Sequence, residues 1–229
     1  NNMIFFIDTA FDITTLAIKK DGKVYKEIIE EKINISQVLI DRTKKLFNQA
    51  SANKKDIKLI SFNQGPGNFT SLRVALSYIK AVGFYLNVPV IKLNSFQILA
   101  MSSFNQDNSD PVIVVIDARM NEIYWTVYKN YSHIYLEKDN YNITSENEYH
   151  EKLVDLNLKE HNIIKNNGNI LHDYKKNYPL SKEYIVESKK IDLPNIFEAI
   201  EKMSVDNKSN IDEVNLLYIR ENIAKKNYE

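Results

Sequence analysis

The chain contains no cysteine. That single absence excludes disulfides, thiolate metal sites and a cysteine nucleophile together. Glycine is scarce as well, five in 229 residues. Neither sign of charge is in excess, because 30 basic side chains balance 30 acidic ones. A protein that grips nucleic acid on its own shows a basic surplus on the relevant face, so the balance argues against autonomous RNA or DNA binding. No apolar run approaches the roughly 20 residues of a membrane-spanning helix, and no signal peptide is expected ahead of the first apolar run. The expected location is the cytoplasm, with no membrane contact. What is there is 44% hydrophobic and 26% charged residues, the composition of a folded globular protein. The length suits one large domain or two lobes. Asn1 and Asn2, ahead of Met3, read as a cloning remnant and are set aside.

Residues 3–8 (MIFFID) form an apolar run ending in an acid, and 14–19 (TTLAIK) a second strand. Asp21-Gly22 predicts a hairpin turn before a third strand at 23–29. A helix follows over 34–47, capped by Asn34 or Ser36, with Ile35, Val38, Leu39 and Leu46 on its apolar side. A strand at 57–62 leads into QGPGNFTSLR (64–73), and the spacing of Leu72, Ala75, Tyr78, Ile79 and Val82 predicts a helix over 69–86. A strand at 88–93 and a helix at 95–104 complete the first half. The polar stretch 105–111 (NQDNSDP) reads as a linker, giving lobes 3–104 and 105–229. The plan then restarts with VIVVID (112–117) and a strand at 122–129, with a third expected at 132–137. Beyond residue 140 the chain is rich in Asn, Lys and Glu. A strand at 162–165, a helix at 194–203 and an anchored apolar stretch at 216–223 are the features expected there. The parallel between MIFFID…TTLAI and VIVVID…EIYWTV is the nearest approach to an internal repeat. Two lobes, each opening on a strand, an aspartate, a turn and a strand, describe a duplicated α/β fold of the actin-like ATPase (ribonuclease H-like) type, in which the two aspartate turns face each other across a cleft.

Two of the five glycines, Gly65 and Gly67, flank Pro66. A phosphate cradle needs converging backbone N–H groups, and this loop does sit between a strand and a helix. It lacks the Gly-Lys-Ser/Thr ending of a Walker loop, and it is not G-x-G-x-x-G. Neither meander turn, 9–13 (TAFDI) or 118–121 (ARMN), contains glycine. The better reading is geometric: positive φ and close backbone passage, stiffened by proline, with Asn68 or Thr70 capping the helix. Asp8 and Asp117 end equivalent strands. They read either as positioning a metal or water across a cleft or as bonding backbone N–H groups of their own turns, and the missing phosphate loops favour the second. His133, His150, His161 and His172 form neither H-x-x-x-H nor H-E-x-x-H, so a helical zinc pair is absent and surface positions are expected. Serine hydrolase chemistry lacks its G-x-S-x-G. Tyr78, Phe84 and Tyr85 spread apolar character around the 69–86 helix further than one packed face needs, which is compatible with a helix-on-helix partner.

Several segments together resemble one family. IDT (7–9), QGPGNFTSLRVAL (64–76), VIDARMNEIYWTVY (115–128) and LYIRENIAKK (217–226) occur in the order found in the TsaB (YeaZ) family of bacterial tRNA threonylcarbamoyladenosine synthesis. The resemblance implies a duplicated actin-like fold without catalysis of its own and hence no catalytic residues. It implies pairing with the catalytic paralogue TsaD and the ATPase TsaE, which would hold the ATP and the metal, so no cofactor is expected for this chain alone. TsaD carries an H-x-x-x-H on a helix after its own GPG segment, whereas the matching stretch here, 94–99 (NSFQIL), has no histidine. The implied role is to support TsaD in modifying the adenosine 3′ of the anticodon in tRNAs reading codons that begin with A, the tRNA being engaged only indirectly. The partner face is expected on the first two long helices, at Ile35, Val38, Leu39, Leu46, Leu72, Ala75, Tyr78, Ile79 and Val82, and the same face would give a homodimer without the partner. A charge at Leu39 or Val82 is then expected to abolish the complex and spare the fold. Asp8, Thr9, Gly65, Gly67, Asp117 and Arg119 would line a vestigial nucleotide cleft. Arg73 and Arg119 could pair with Asp8 or Asp117 or serve an interface. The chain departs from the family pattern at Ile35, Asn68 and Ser71, where His, Ser and Gly are common. The alternative function is an enzyme, either a standalone actin-like ATPase or kinase or the M22-type glycoprotease that the family was once labelled.

Overall fold

The computed structural model describes residues 3–30, 33–103, 109–136, 140–158 and 160–219. The chain divides into two compact units, each built on a five-stranded sheet.

In the first unit, β1 (Met3–Asp8) is buried along its whole length, as expected of a central strand covered on both faces. It pairs antiparallel with β2 (Ile13–Lys20), which pairs antiparallel with β3 (Lys23–Glu30). Its other side pairs parallel with β4 (Ile57–Asn63), and β4 with β5 (Val90–Leu93), giving the order β3-β2-β1-β4-β5. The Asp21-Gly22 turn forms as expected, both residues at positive φ (51° and 76°). Helix α1 (Ile35–Gln49) is capped by the Asn34 side chain, and α2 (Phe69–Leu86) by Asn68, with Asn87 ending α2 in the left-handed region. Helix α1 lies on β2 and β3, α2 on β1 and β4, and the two helices touch. Consecutive strand residues point to opposite faces. Phe5 accordingly meets Phe47 of α1 and Tyr78 of α2, while Phe6 meets Phe197 beneath the sheet. After β5 the chain passes into the second unit through a short helix, α3 (Ser95–Met101), which ends before the expected residue 104; that residue lies outside the described residues.

The second unit repeats the plan. β6 (Val112–Arg119), β7 (Glu122–Tyr128) and β8 (Asn142–Ser145) form the meander, and β9 (Asn162–Lys165) and β10 (Lys182–Ile185) add parallel strands beside β6. Read from β8, the order is third, second, first, fourth, fifth, as in the first sheet. This is the duplicated α/β fold expected from the two strand–aspartate–turn–strand openings. Helix α4 (Glu146–Asp155), with a Ser145/Glu148 capping box, follows β8, and the short α5 (Tyr174–Asn177) precedes β10.

Three expectations are corrected. The lobe boundary at 104/105 is replaced by one after Ser95, and Leu193–Leu217, expected in the second lobe, belongs to the first unit. The reason is the apolar side of α6 (Leu193–Met203), where Ile196, Phe197, Ala199 and Ile200 are buried. The chain beyond it bridges Val90 of β5 through Ser209, and Leu217 N–H donates to the Gln64 carbonyl. The third meander strand is β8; residues 131–135 form a 3-10 turn in which Ser132 and His133 bond the Asn130 amide oxygen. His161, expected at the surface, is 2% exposed. Most of the 105–111 linker and the 220–226 part of the last family segment lie outside the described residues.

The β6–β7 hairpin turns without glycine: Arg119, Met120 and Asn121 all have positive φ (64°, 56°, 60°). A non-glycine residue there costs roughly 1 kcal/mol, and asparagine tolerates the region best. Met120 is 86% exposed, so its side chain contributes little packing. Met120→Asn is expected to raise stability by about 0.5 kcal/mol, read as a higher urea midpoint with an unchanged slope.

Candidate functional site

The GPG loop and the end of β1 form one buried polar knot. Asp8, 2% exposed, accepts the Ala10 N–H at 2.9 Å and the Asn63 side-chain amide at 3.0 Å, both on Oδ1. Asn63 also donates to Ser95 Oγ at 3.0 Å, and its Oδ1 accepts the Gly65 N–H at 2.9 Å. Ser95 Oγ donates to the Pro66 carbonyl at 2.6 Å, and its N–H donates to Gly65 O at 2.9 Å. The Asp8 carboxyl therefore sits among neutral dipoles. Burial pushes its pKa up from 3.8 to about 6, against the pull of the Ala10 N–H and the Asn63 amide. Thr9 is buried beside it, its hydroxyl without a hydrogen-bond partner.

The two glycines have separate tasks. Gly65 has φ +103°, open to glycine alone at little strain. A methyl on Gly67 would meet the Ala10 carbonyl oxygen at 2.2 Å, so the loop lies directly on the β1–β2 turn. Asn68 N–H donates to that same carbonyl at 2.8 Å, and Ser71 N–H to the capping Asn68 side chain at 3.1 Å. A nucleotide phosphate does not fit between this loop and the β1–β2 turn. The N–H groups of Gly65, Asn68 and Ser71 already donate to protein acceptors, and Ala10 occupies the space before Gly67.

The second unit carries the matching arrangement more openly. Asp117 Oδ1 accepts the Arg119 N–H at 2.8 Å, just as Asp8 accepts the N–H two residues on. Asp117 N–H donates to Asn166 Oδ1 at 3.0 Å, the amide just after β9 standing where Asn63 stands at the end of β4. The Arg119 guanidinium lies 3.7 Å from Asp117, whereas Arg73 stacks on the Phe69 ring at 3.7 Å. Asn63, Ser95 and Asn166 escaped the sequence reading. The one available signal was an amide at equivalent strand ends, in SFNQ and IIKNN. Among the described residues, no three His, Cys, Asp or Glu side chains converge as ligands to a metal ion would, and no helix is long and apolar enough to cross a membrane.

The helix faces differ from expectation in detail. Ile35, Leu39, Leu46, Leu72, Ala75 and Ile79 are buried in the core of their own unit, and Val38, Tyr78 and Val82 are half-buried. The regular apolar spacing marked the side facing the sheet. Leu39→Asp would therefore break the fold, contrary to the expectation that it spares it. The apolar side chains that do face outward are Ile40 on α1 and Phe69, Phe84 and Tyr85 on α2, with Phe84 72% and Tyr85 76% exposed. Phe84 and Tyr85 border a groove of about 410 Å³ with Lys80, Ala81, Ile211 and Asp212. Helix α1 is fastened to β3 by buried Glu27, which binds Arg42 at 2.6 Å and Lys45 at 2.9 Å. Burial pushes the Glu27 pKa up, but the hydrogen bonds and charges of Lys45 and Arg42 outweigh it and hold the carboxyl below its usual range.

The family profile described as "TsaD: tRNA N6-adenosine threonylcarbamoyltransferase" matches residues 30–140, which include α1 and α2. The chain is 29% identical over 128 residues to the "tRNA threonylcarbamoyladenosine biosynthesis protein TsaB" of Buchnera aphidicola from Acyrthosiphon pisum, covering 56% of this chain and 58% of that one. It is 25% identical over 126 residues to the protein of the same name in Escherichia coli K12, covering 55% and 54%. The chain thus spans under two thirds of the length of these relatives. A solved structure from Pseudomonas aeruginosa, described as similar to peptidase YEAZ, superposes with a TM-score of 0.74 at 18% identity, covering 96% of this chain and all of that one. The chain is thus similar in sequence to several TsaB proteins and shares the fold of the YeaZ-like structure.

Proposed function

We propose that the chain is a non-catalytic subunit that binds a TsaD-type transferase and holds it in a competent conformation for threonylcarbamoyladenosine synthesis on tRNA. The observation that carries this reading is the closed GPG loop, where Gly67 rests on Ala10 and the loop's N–H groups donate inward. A standalone ATPase or kinase would need that space for phosphate. The likeness to TsaB proteins and to the TsaD profile supports the choice of partner and of pathway. The modified base in this reading is the adenosine 3′ of the anticodon in tRNAs reading codons that begin with A. ATP and metal belong to the partners, a TsaE-type ATPase completes the set, tRNA is met only through the complex, and the chain pairs with itself when alone. The reaction is cytoplasmic.

The docking face is the outward side of α1 and α2, with exposed Phe84 and Tyr85 at its centre and Val38, Tyr78 and Val82 at its border. Binding energy at such faces concentrates in a few aromatic anchors. Phe84→Asp and Tyr85→Asp are each expected to weaken transferase binding by about tenfold or more, measured by titration calorimetry, with unchanged circular dichroism. Undiminished binding by both variants would remove this face from the account.

A further inference from the structure

Beneath α4 and α5 the second unit contains an unusual concentration of rings. Tyr149 and His150 come from α4, His161 from the residue before β9, and Tyr174 and Tyr178 from α5 and the residue after it. Tyr174 and Tyr178 lie 4.7 Å apart between ring centres, and His150 stacks on Tyr178 at 5.8 Å with the planes 15° apart. His161 meets both tyrosines edge-on, at 5.8 and 5.6 Å. A hydrogen-bonded chain runs through the cluster: His161 Nε2 to Tyr174 OH at 2.6 Å, then Tyr174 OH to Tyr149 OH at 3.1 Å. Tyr149 and Tyr174 belong to the hydrophobic core with Trp125, Leu153 and Ile163, and Tyr178 packs against it.

We propose that the two histidines form an acid-sensitive catch: mild acid releases the Tyr174–Tyr178 stretch from β9 and α4, and neutral pH re-engages it. Protonation turns both nitrogens of an imidazole into donors. Nε2 of His161 can then only donate to Tyr174, and among the described residues its Nδ1 faces only the Leu158 carbonyl, which lies outside good hydrogen-bonding geometry. A second cation on His150 would share Tyr174 and Tyr178 with the first. The attraction of a cation for a tyrosine face, about 0.5–2 kcal/mol, is weaker than the cost of burying the charge. Burial accordingly lowers the pKa of both histidines, with the Leu158 carbonyl opposing it at His161 and Glu146 at His150.

The other charged groups offer little relief. Glu146 of α4 accepts the Leu171 N–H, and Glu183 of β10 is paired with buried Lys165 of β9, which also donates to the Ile170 carbonyl. Asp173 and Lys176 pair with each other in solvent. A histidine whose folded pKa lies below its unfolded value of 6.5 contributes full stability above that pH and loses it as pH falls through it.

The test is hydrogen-exchange mass spectrometry on the full chain at about pH 7.5 and pH 5.5, corrected for intrinsic exchange rates. Peptides covering 162–165 and 174–178 should lose protection severalfold in acid, while those covering β4 do not. The loss should disappear in the His150→Phe, His161→Gln double variant. Histidine-ring NMR titration of the unaltered chain gives a second reading that needs no variant, and His150 and His161 should both titrate below the ordinary range. Unchanged protection in acid, loss that persists in the folded double variant, or ordinary titration of both rings would overturn the proposal.

Discussion

Asp8→Asn is expected to stabilise the chain by about 3 kcal/mol at neutral pH and by almost nothing near pH 4. Both bonds to Asp8 arrive at one oxygen, from the Ala10 N–H and the Asn63 amide, and an asparagine oxygen can accept both. What the substitution removes is a buried charge that has no cation bonded to it among the described residues. The carboxyl pKa is raised from 3.8 to about 6, so the folded state binds a proton more tightly than the unfolded chain. Between those values stability falls as pH rises, and above about pH 6 the full penalty applies. Two pKa units correspond to about 3 kcal/mol, which for a chain of this size is a melting rise of roughly 6–12 °C. The measurement is thermal unfolding of both chains across pH 4 to 8. A gain that does not depend on pH would mean that the carboxyl is not the desolvated group described here. The sign is opposite to that of the histidine catch, so the two units are expected to respond to acid in opposite directions.

Gly67→Ala is the second large effect, and it is destabilising by about 3 kcal/mol or more. The added methyl would stand 2.2 Å from Ala10 O and 2.7 Å from Ala10 Cβ. No flexible side chain can swing aside, so either the GPG loop or the β1–β2 turn must move. That breaks the Asn68 N–H to Ala10 bond and strains the knot of Asn63, Ser95 and Pro66. The reduced freedom of the unfolded chain returns only about 0.4–1 kcal/mol. Gly22→Ala is the control: it has open space but φ +76°, and should cost about 1 kcal/mol from backbone conformation alone. Denaturant unfolding of the two variants separates contact from conformation. If Gly67→Ala costs no more than Gly22→Ala, the close approach to Ala10 is not what the glycine is there for, and the phosphate-cradle reading of the loop reopens.

The elements legible in the sequence were those whose burial leaves a periodic trace. Central strands covered on both faces appear as continuous apolar runs, which is why MIFFID and VIVVID stood out and revealed the duplication. Helix α2 was readable to its ends because Asn68 caps it and its apolar spacing is regular. In the second unit, α4, α5 and β10 escaped because their cores are tyrosines and histidines scattered among Asn, Lys and Glu, which carry no clear period. The 3-10 turn at 131–135 resembled a strand through its aromatic residues and differs because Asn130 draws the chain into a turn. The site divided in the same way. Asp8, Asp117 and the two glycines were visible, whereas Asn63 and Ser95 join them only through pairing of β1 with β4 and the return of the chain after β5. Of the helix stripe taken for a partner face, Ile35, Leu39, Leu46, Leu72, Ala75 and Ile79 lie in the core, since periodicity identifies a buried side without saying what buries it.

The measurement closest to the central claim is size-exclusion chromatography with light scattering on this chain mixed with the TsaD-type transferase of its own organism. A stable one-to-one heterodimer is the predicted result. Separate elution of the two proteins under every nucleotide condition would contradict the proposed role.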